Sequence, residues 1–142
     1  MRTVLSVSFV LGLFFASSVL AARAAAADAP PADKVYELRV YHTNPGKLEA
    51  LHARFRDHTC KLFQKHGIQV VGFWTPLAGE EAKNTLYYIV VFPSVEAQKN
   101  AWQAFRADPE WKKAKADSEK DGVLVNKVDS TNLKATPYSP MQ

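Results

Sequence analysis

The chain has 142 residues, of which 47% are hydrophobic and 23% charged, and its formal net charge at pH 7 is +4. This length fits one domain with a packed core, and the composition excludes a disordered or fibrous chain. Without Arg2 and Arg23, which lie in the N-terminal segment, 16 basic residues face 14 acidic ones. That balance is too even for a nucleic-acid-binding surface.

The N-terminal segment has the pattern of a signal peptide. A short start with Arg2 is followed by the uncharged apolar run 4–20, and small residues near Ala21 or Ala27 suit a signal peptidase. A retained membrane anchor is the alternative, since about 20 apolar residues span a bilayer. We expect residues 1–27 to be removed, residues 28–33 to form a flexible Ala/Pro-rich leader, and the mature bacterial protein to be periplasmic or extracellular, without membrane attachment.

The first two predicted elements are a strand and a long helix. Residues 34–43 are rich in β-branched and aromatic side chains, which predicts a strand that Pro45 and Gly46 end. Residues 47–66 carry apolar side chains at helical spacing, which predicts an amphipathic helix. Gly67 is the residue type best suited to end it.

The rest of the domain continues with strands at 68–75 and 86–92, the second apolar on both faces. Ser94 is a candidate N-cap for a helix to residue 106, and Asp108 followed by Pro109 predicts the start of another helix to about residue 121. A fourth strand is predicted at 123–128, and residues 129–142 form a polar tail.

The element order β-α-β-β-α-α-β predicts an α+β fold, a ferredoxin-like sandwich, over residues 34–128. Right-handed crossovers place the helices on one face of a four-stranded antiparallel sheet. The other face would then expose apolar side chains, for which Tyr41, Phe73 or Trp74, and Tyr87, Ile89 and Val91 or their neighbours are the candidates. An exposed patch of this kind is usually an interface or a ligand groove. We therefore expect a homodimer whose sheets pack face to face around a barrel-like space.

The chain also resembles the NIPSNAP family over most of residues 34–128. The resemblance is carried by YELRVYHTNPGKLEALHARF, then GIQVVGFWT, the apolar third strand and FRADPEWKKAKADSE. It implies a dimeric α+β barrel, a fold shared with small monooxygenases and haem-handling proteins. One fold hosts many functions, so the resemblance implies the fold and the dimer more directly than an activity.

Four residues are the candidate ligand-binding residues. Glu37, Arg39 and Tyr41 alternate along the first strand, so they share a face and are predicted to line the dimer cavity. Arg39 could hold an anion, with Glu37 as an acid or base; the alternative is a structural Glu37–Arg39 ion pair. Trp74, at the end of the second strand, is the candidate for a pocket mouth.

The histidines and the cysteine give weaker signals. His52 and His58 are six residues apart, which is not the spacing of two ligands on one helical face, so no metal site is predicted. No cofactor is predicted, although haem needs only one axial histidine and stays open. Cys60 is the only cysteine and is predicted to be an ordinary residue on the helix surface.

No catalytic residue is assigned, and whether the protein is an enzyme is left open. The leading hypothesis is an exported homodimer of undetermined activity that binds a small molecule between its sheets. The alternatives are an oxidative enzyme of the small-monooxygenase or haem-handling type and a pure interaction protein.

Overall fold

The computed structural model describes residues 34–141, so the predicted signal peptide and leader lie outside the described part. The strands are β1 (Val35–Thr43), β2 (Gln69–Trp74), β3 (Thr85–Phe92) and β4 (Val125–Leu133). Helix α1 consists of three continuous segments, Leu48–Arg54, Phe55–Thr59 and Cys60–Lys65. Helix α2 is Val95–Ala107 and helix α3 is Pro109–Ser118. A short 3-10 turn spans Glu80–Lys83. Within residues 34–141, no helix is long and apolar enough to cross a membrane.

The four strands form one antiparallel sheet in the order β2-β3-β1-β4. This is the predicted ferredoxin-like α+β arrangement. Opposite residues of paired strands point to the same face, so the registers Glu37↔Val90 and Arg39↔Tyr88 put these four side chains on one face. We call it the helix face, because Glu37 bonds Trp102 of α2 there. The opposite face, with Leu38, Val40 and Ile89 among its residues, is the open face.

The core lies between the sheet and the helices. Its largest fully buried side chains include Tyr88, Phe63, Phe92 and Leu51. Trp102 is buried among them, and Trp111 packs against Phe105 with ring centroids 4.5 Å apart. Trp102 thus belongs to the core, and Trp111 packs against it.

The helix boundaries follow from local chemistry. Ser94 caps α2, its Oγ accepting the backbone N–H of Ala97 at 3.1 Å. Asp108 caps α3, its Oδ1 accepting the N–H of Glu110 at 2.7 Å, with Pro109 at the first helical position. Gly67 follows α1 with φ +70°, a backbone conformation that favours glycine. All three signals were readable in the sequence.

Strand β4 is longer than predicted. The sequence indicates 123–128, whereas β4 runs from Val125 to Leu133 and pairs with β1 up to Tyr36↔Leu133. The added residues are polar and largely exposed on an edge strand, so they carry no apolar pattern. Beyond β4, an open groove of about 280 Å³ lies beside Tyr36 and Ile89 of the open face; its other lining residues are Leu133, Lys134, Ala135, Thr136, Ser139 and Met141.

Candidate ligand-binding pocket

A pocket of about 430 Å³ lies between helix α1 and strand β2. Its lining residues are His52, Phe55, Arg56 and Cys60 of α1, Phe73, Trp74 and Thr75 at the end of β2, and Leu86 of β3. Phe73 is 36% exposed and Trp74 is 50% exposed. Phe73 is opposite Tyr88 and faces the helices, so its ring is open to solvent in the wall of a concave site in the size range of small-molecule pockets. Trp74 is opposite Tyr87, so its side chain lies on the open face.

The helical side of the pocket depends on a π-helical turn within α1. Over Phe55–Thr59 the helix widens, and the N–H of Cys60 bonds the carbonyl of Phe55, five residues earlier. The hydroxyl of Thr59, which is buried, donates to the Arg54 carbonyl at 3.2 Å. The wider turn brings Cys60 onto the same side of the helix as Phe55. Such turns are frequent at functional sites.

Cys60 consequently differs from its predicted role as a surface residue. It is half-buried and lines both this pocket and a second one of about 510 Å³. Burial raises the pKa of its thiol, which keeps it protonated at neutral pH. The second pocket also shares Phe73 and continues past Gln64 and Val70. The two pockets form one groove along α1 and the edge strand β2.

Trp74 owes its position to Gly72. The two residues face the same side of β2, and the indole lies so close to Gly72 that a Cβ there would be 2.7 Å from its Cη2 atom. Only glycine leaves room for the ring at this distance. Gly72 and Trp74 are opposite Ile89 and Tyr87, so this contact lies on the open face of the sheet.

A buried polar cluster lies elsewhere between the sheet and the helices. Glu37, 3% exposed, accepts hydrogen bonds from Trp102 Nε1 at 2.6 Å and Gln98 Nε2 at 2.7 Å. Ser130 Oγ donates at 2.6 Å and Arg39 Nη1 at 2.5 Å. Burial alone would raise the pKa of Glu37, but these four donors outweigh it and lower the pKa below its ordinary value. Glu37 is therefore a carboxylate and not a proton donor at neutral pH.

Arg39 is held tightly in this cluster. Besides its bond to Glu37, it donates from Nη2 to Tyr41 Oη at 3.4 Å, and its guanidinium lies 4.6 Å from the Trp102 ring centroid. Its side chain is 18% exposed. The prediction that Glu37, Arg39 and Tyr41 share a face is confirmed, but their expected place on the open face is wrong. Strand alternation gives shared faces without saying which face the helices cover.

Aromatic rings connect the polar cluster to the pocket. Tyr41 contacts Tyr88 and Phe55, with ring centroids 5.3 and 5.9 Å apart. Phe55 and Phe73 each contact Tyr88, at 5.4 and 5.5 Å. The two phenylalanine rings line the pocket on one side and touch Tyr88 on the other.

Of the four predicted site residues, only Trp74 lines the pocket, and Glu37, Arg39 and Tyr41 lie behind it in the interior. Sequence reasoning did not assign His52, Phe55 or Arg56 to a site. Their spacing of three and four residues along one helix was readable, but nothing in the sequence marked the π turn. Among residues 34–141, no group of three His, Cys, Asp or Glu side chains is arranged to hold a metal ion.

The chain is similar in fold to several proteins of known structure. A NIPSNAP family protein of unknown function from Agrobacterium tumefaciens is 22% identical, with a TM-score of 0.67 over 78% of this chain and 96% of that one. An uncharacterised NIPSNAP-like domain protein from Burkholderia xenovorans is 16% identical, with a TM-score of 0.66 over 77% and 90%. SnoaB from Streptomyces nogalater, a cofactor-independent oxygenase, is 18% identical, with a TM-score of 0.51 over 77% and 99%.

No protein of curated function matches the sequence. The NIPSNAP family profile matches residues 36–140, which is most of the chain and includes the whole pocket. The chain therefore belongs to the NIPSNAP family.

Proposed function

We propose that this protein is an exported homodimer that binds a small aromatic molecule in the pocket between α1 and β2 of each subunit. The observation that carries the proposal is the partial exposure of Phe73 in the wall of a 430 Å³ pocket. The proposed site lies within one subunit, whereas the sequence alone suggested a site between the sheets of two subunits.

The physical argument is the apolar surface that a ligand would cover. Burying apolar surface yields about 25 cal/mol per Å², and aromatic pairs gain further from edge and stacking contacts. Phe55 and Phe73 offer such contacts to a flat ring. His52 and Arg56 provide polar groups at the same site, although the Arg56 guanidinium is bonded to Asp57 at 2.8 Å.

The dimer part of the proposal is supported by the open face. Leu38, Val40, Tyr87, Ile89 and Val91 belong to it and are only half-buried in one subunit. A second copy of the same face would cover them, leaving the pocket accessible beside β2. The export part rests on the signal-peptide pattern of residues 1–27.

The test uses anilinonaphthalene sulfonate, a probe whose fluorescence rises in apolar sites, with the mature protein. We expect saturable binding, weakened about tenfold by Phe73→Ala because one ring contact is lost. Tyr138→Ala is the matched control, since Tyr138 is exposed but does not line the pocket. Equal weakening by both variants, or no binding, would contradict the proposal. Absence of binding in a stable dimer would favour the pure interaction protein.

Export and self-association are tested together by native mass spectrometry of the protein recovered from its own cells. We expect twice the mass of a chain that lacks about 27 residues, with extra mass if a ligand copurifies. A full-length chain would contradict export, and a monomer would contradict the dimer.

An oxygenase acting on an aromatic substrate is the second candidate. It is favoured by His52, a possible proton acceptor beside the aromatic rings, and by the shared fold with SnoaB. Oxygen uptake in the presence of a phenol, lost in His52→Ala and kept in His58→Ala, would support it. Binding of the phenol without oxygen uptake would contradict it.

A further inference from the structure

The polar lining of the pocket between α1 and β2 has a one-sided charge. Among the lining residues within the described part of the chain, Arg56 is a cation, His52 carries an imidazole, and Cys60 and Thr75 are neutral. None of these lining residues is an aspartate or a glutamate. A ligand with a negative group would therefore meet a cation and no carboxylate in this wall.

His52 and Arg56 lie beside the aromatic rings of the pocket. They are four residues apart on α1, a spacing that places two side chains on the same side of a helix. Phe55 lines the same pocket, with its ring centroid 5.4 Å from that of Phe73. The Arg56 side chain is 66% exposed, so its charged group lies at the solvent side of the pocket. An imidazole has an N–H donor in either neutral tautomer, so both polar side chains can donate hydrogen bonds there.

The Arg56 guanidinium has two edges that can each donate a pair of hydrogen bonds. One edge is used within the chain, where Nε and Nη2 donate to the two carboxylate oxygens of Asp57 at 2.8 and 3.3 Å. The other edge consists of Nη1 and the second hydrogen of Nη2. It has the geometry that binds a second carboxylate through two parallel hydrogen bonds.

The acidic neighbours of Arg56 do not line the pocket. Asp57 lines a separate cavity of about 310 Å³ between α1 and α3. Glu49, which also interacts electrostatically with Arg56, lines neither cavity. Their charges weaken the attraction of Arg56 for an anion, but the donors of its second edge stay available to one.

We propose that the ligand class of the pocket is an aromatic carboxylate. Its ring lies against Phe55 and Phe73, and its carboxylate binds the second edge of Arg56. His52 donates a further hydrogen bond beside it. This inference rests on the proposed function, since it names the chemistry of the ligand bound there. The planar guanidinium of arginine matches a carboxylate, and the solvent side of the pocket keeps that charge hydrated.

The test compares naphthalene-2-carboxylate with naphthalene-2-carboxamide, a neutral compound of nearly the same shape. Both are titrated into the mature protein at pH 7 by isothermal titration calorimetry. We expect the native protein to prefer the carboxylate about fivefold, the size of a well-formed ion pair at an exposed site. Arg56→Gln should remove that preference and leave the affinity for the carboxamide unchanged. Added sodium chloride should reduce the preference of the native protein, because salt screens exposed charges.

Lys61→Gln is the matched control, because Lys61 is an exposed cation on the same helix that does not line the pocket. Its preference should equal that of the native protein. Equal affinity of the native protein for both compounds would overturn the inference but leave the pocket. So would a preference that survives Arg56→Gln, or one that Lys61→Gln reduces equally. Failure of both compounds to bind would overturn the proposed function itself.

Discussion

The indole N–H of Trp102 on α2 donates a hydrogen bond of 2.6 Å to the Glu37 carboxylate on β1, which ties the helix layer to the sheet at a buried point. The same carboxylate compensates the charge of Arg39. We predict that Glu37→Gln lowers the free energy of unfolding by about 3 kcal/mol, because it leaves a largely buried guanidinium without its counter-charge. Urea unfolding measures this loss. The control is Glu96→Gln on the exposed side of α2, which should change the free energy of unfolding by less than about 0.5 kcal/mol. Equal losses in Glu37→Gln and Glu96→Gln would show that the buried Glu37–Arg39 pair does not stabilise the fold.

The contact between Gly72 and Trp74 gives a second prediction. Gly72→Ala places a methyl group where the indole lies, so the half-exposed ring must move on the open face. We expect the affinity for anilinonaphthalene sulfonate to fall much less than in Phe73→Ala, while the free energy of unfolding changes by less than about 1 kcal/mol. An equal loss of probe affinity in the two variants would mean that Trp74 forms the pocket wall. Gly46→Ala would not serve as a control, because Gly46 has a positive φ of 74° and its substitution is strained.

The ion pairs of Asp108 predict how the free energy of unfolding depends on pH in acid. Its carboxylate lies 2.9 Å from Lys65 Nζ and 2.6 Å from His66 Nε2, and these contacts hold its pKa well below the ordinary value of 3.8. Because its pKa is lower in the folded state, the carboxylate stabilises the fold at pH values above its ordinary pKa. This contribution is lost as the pH falls through the folded-state pKa. The stability difference between native protein and Asp108→Asn should therefore be constant near neutrality and shrink in acid.

Urea unfolding at a series of pH values tests this expectation. Asp121→Asn is the control, since Asp121 is exposed at the end of the same helical region. A difference between native protein and Asp108→Asn that grows as the pH falls would contradict the assignment.

The proposed dimer gives a fourth prediction. Ile89→Glu puts a charge at the centre of the open face, and burying it against a second copy is unfavourable. We expect the dimer to weaken at least about 30-fold, equivalent to about 2 kcal/mol, with the circular dichroism of the subunit retained. Sedimentation equilibrium measures the dissociation constant. The control is Val95→Glu, at an exposed position on the helix layer, which should leave the dissociation constant unchanged. A dimer that tolerates Ile89→Glu would have to use another surface.

Much of the fold could be predicted from local chemistry. The Ser94 and Asp108 caps and Gly67 fix helix ends through contacts within a few residues. Chain order and crossover handedness then supply the sheet topology. The end of β4 could not be predicted, because its polar edge residues are specified by pairing with β1 and not by their own pattern.

The site was less predictable for two physical reasons. Glu37 and Arg39 were expected on the open face, because strand alternation shows that they share a face but not which face the helices cover. Their burial depends on partners such as Gln98 and Trp102, which are distant in sequence. Cys60 was expected at the surface because regular α-helical spacing was assumed, and the π turn changes that spacing. Both errors concern residues whose environment is set by tertiary contacts or by an irregular turn.

The most direct test of the central claim is a titration of the mature protein, labelled with nitrogen-15, with β-naphthol, followed by amide chemical shifts. A ligand in the pocket predicts saturable shifts centred on Phe55, Cys60, Phe73 and Thr75. Shifts centred on Val40, Ile89 and Thr131 of the open face, or no saturable shifts at all, would contradict a binding site between α1 and β2.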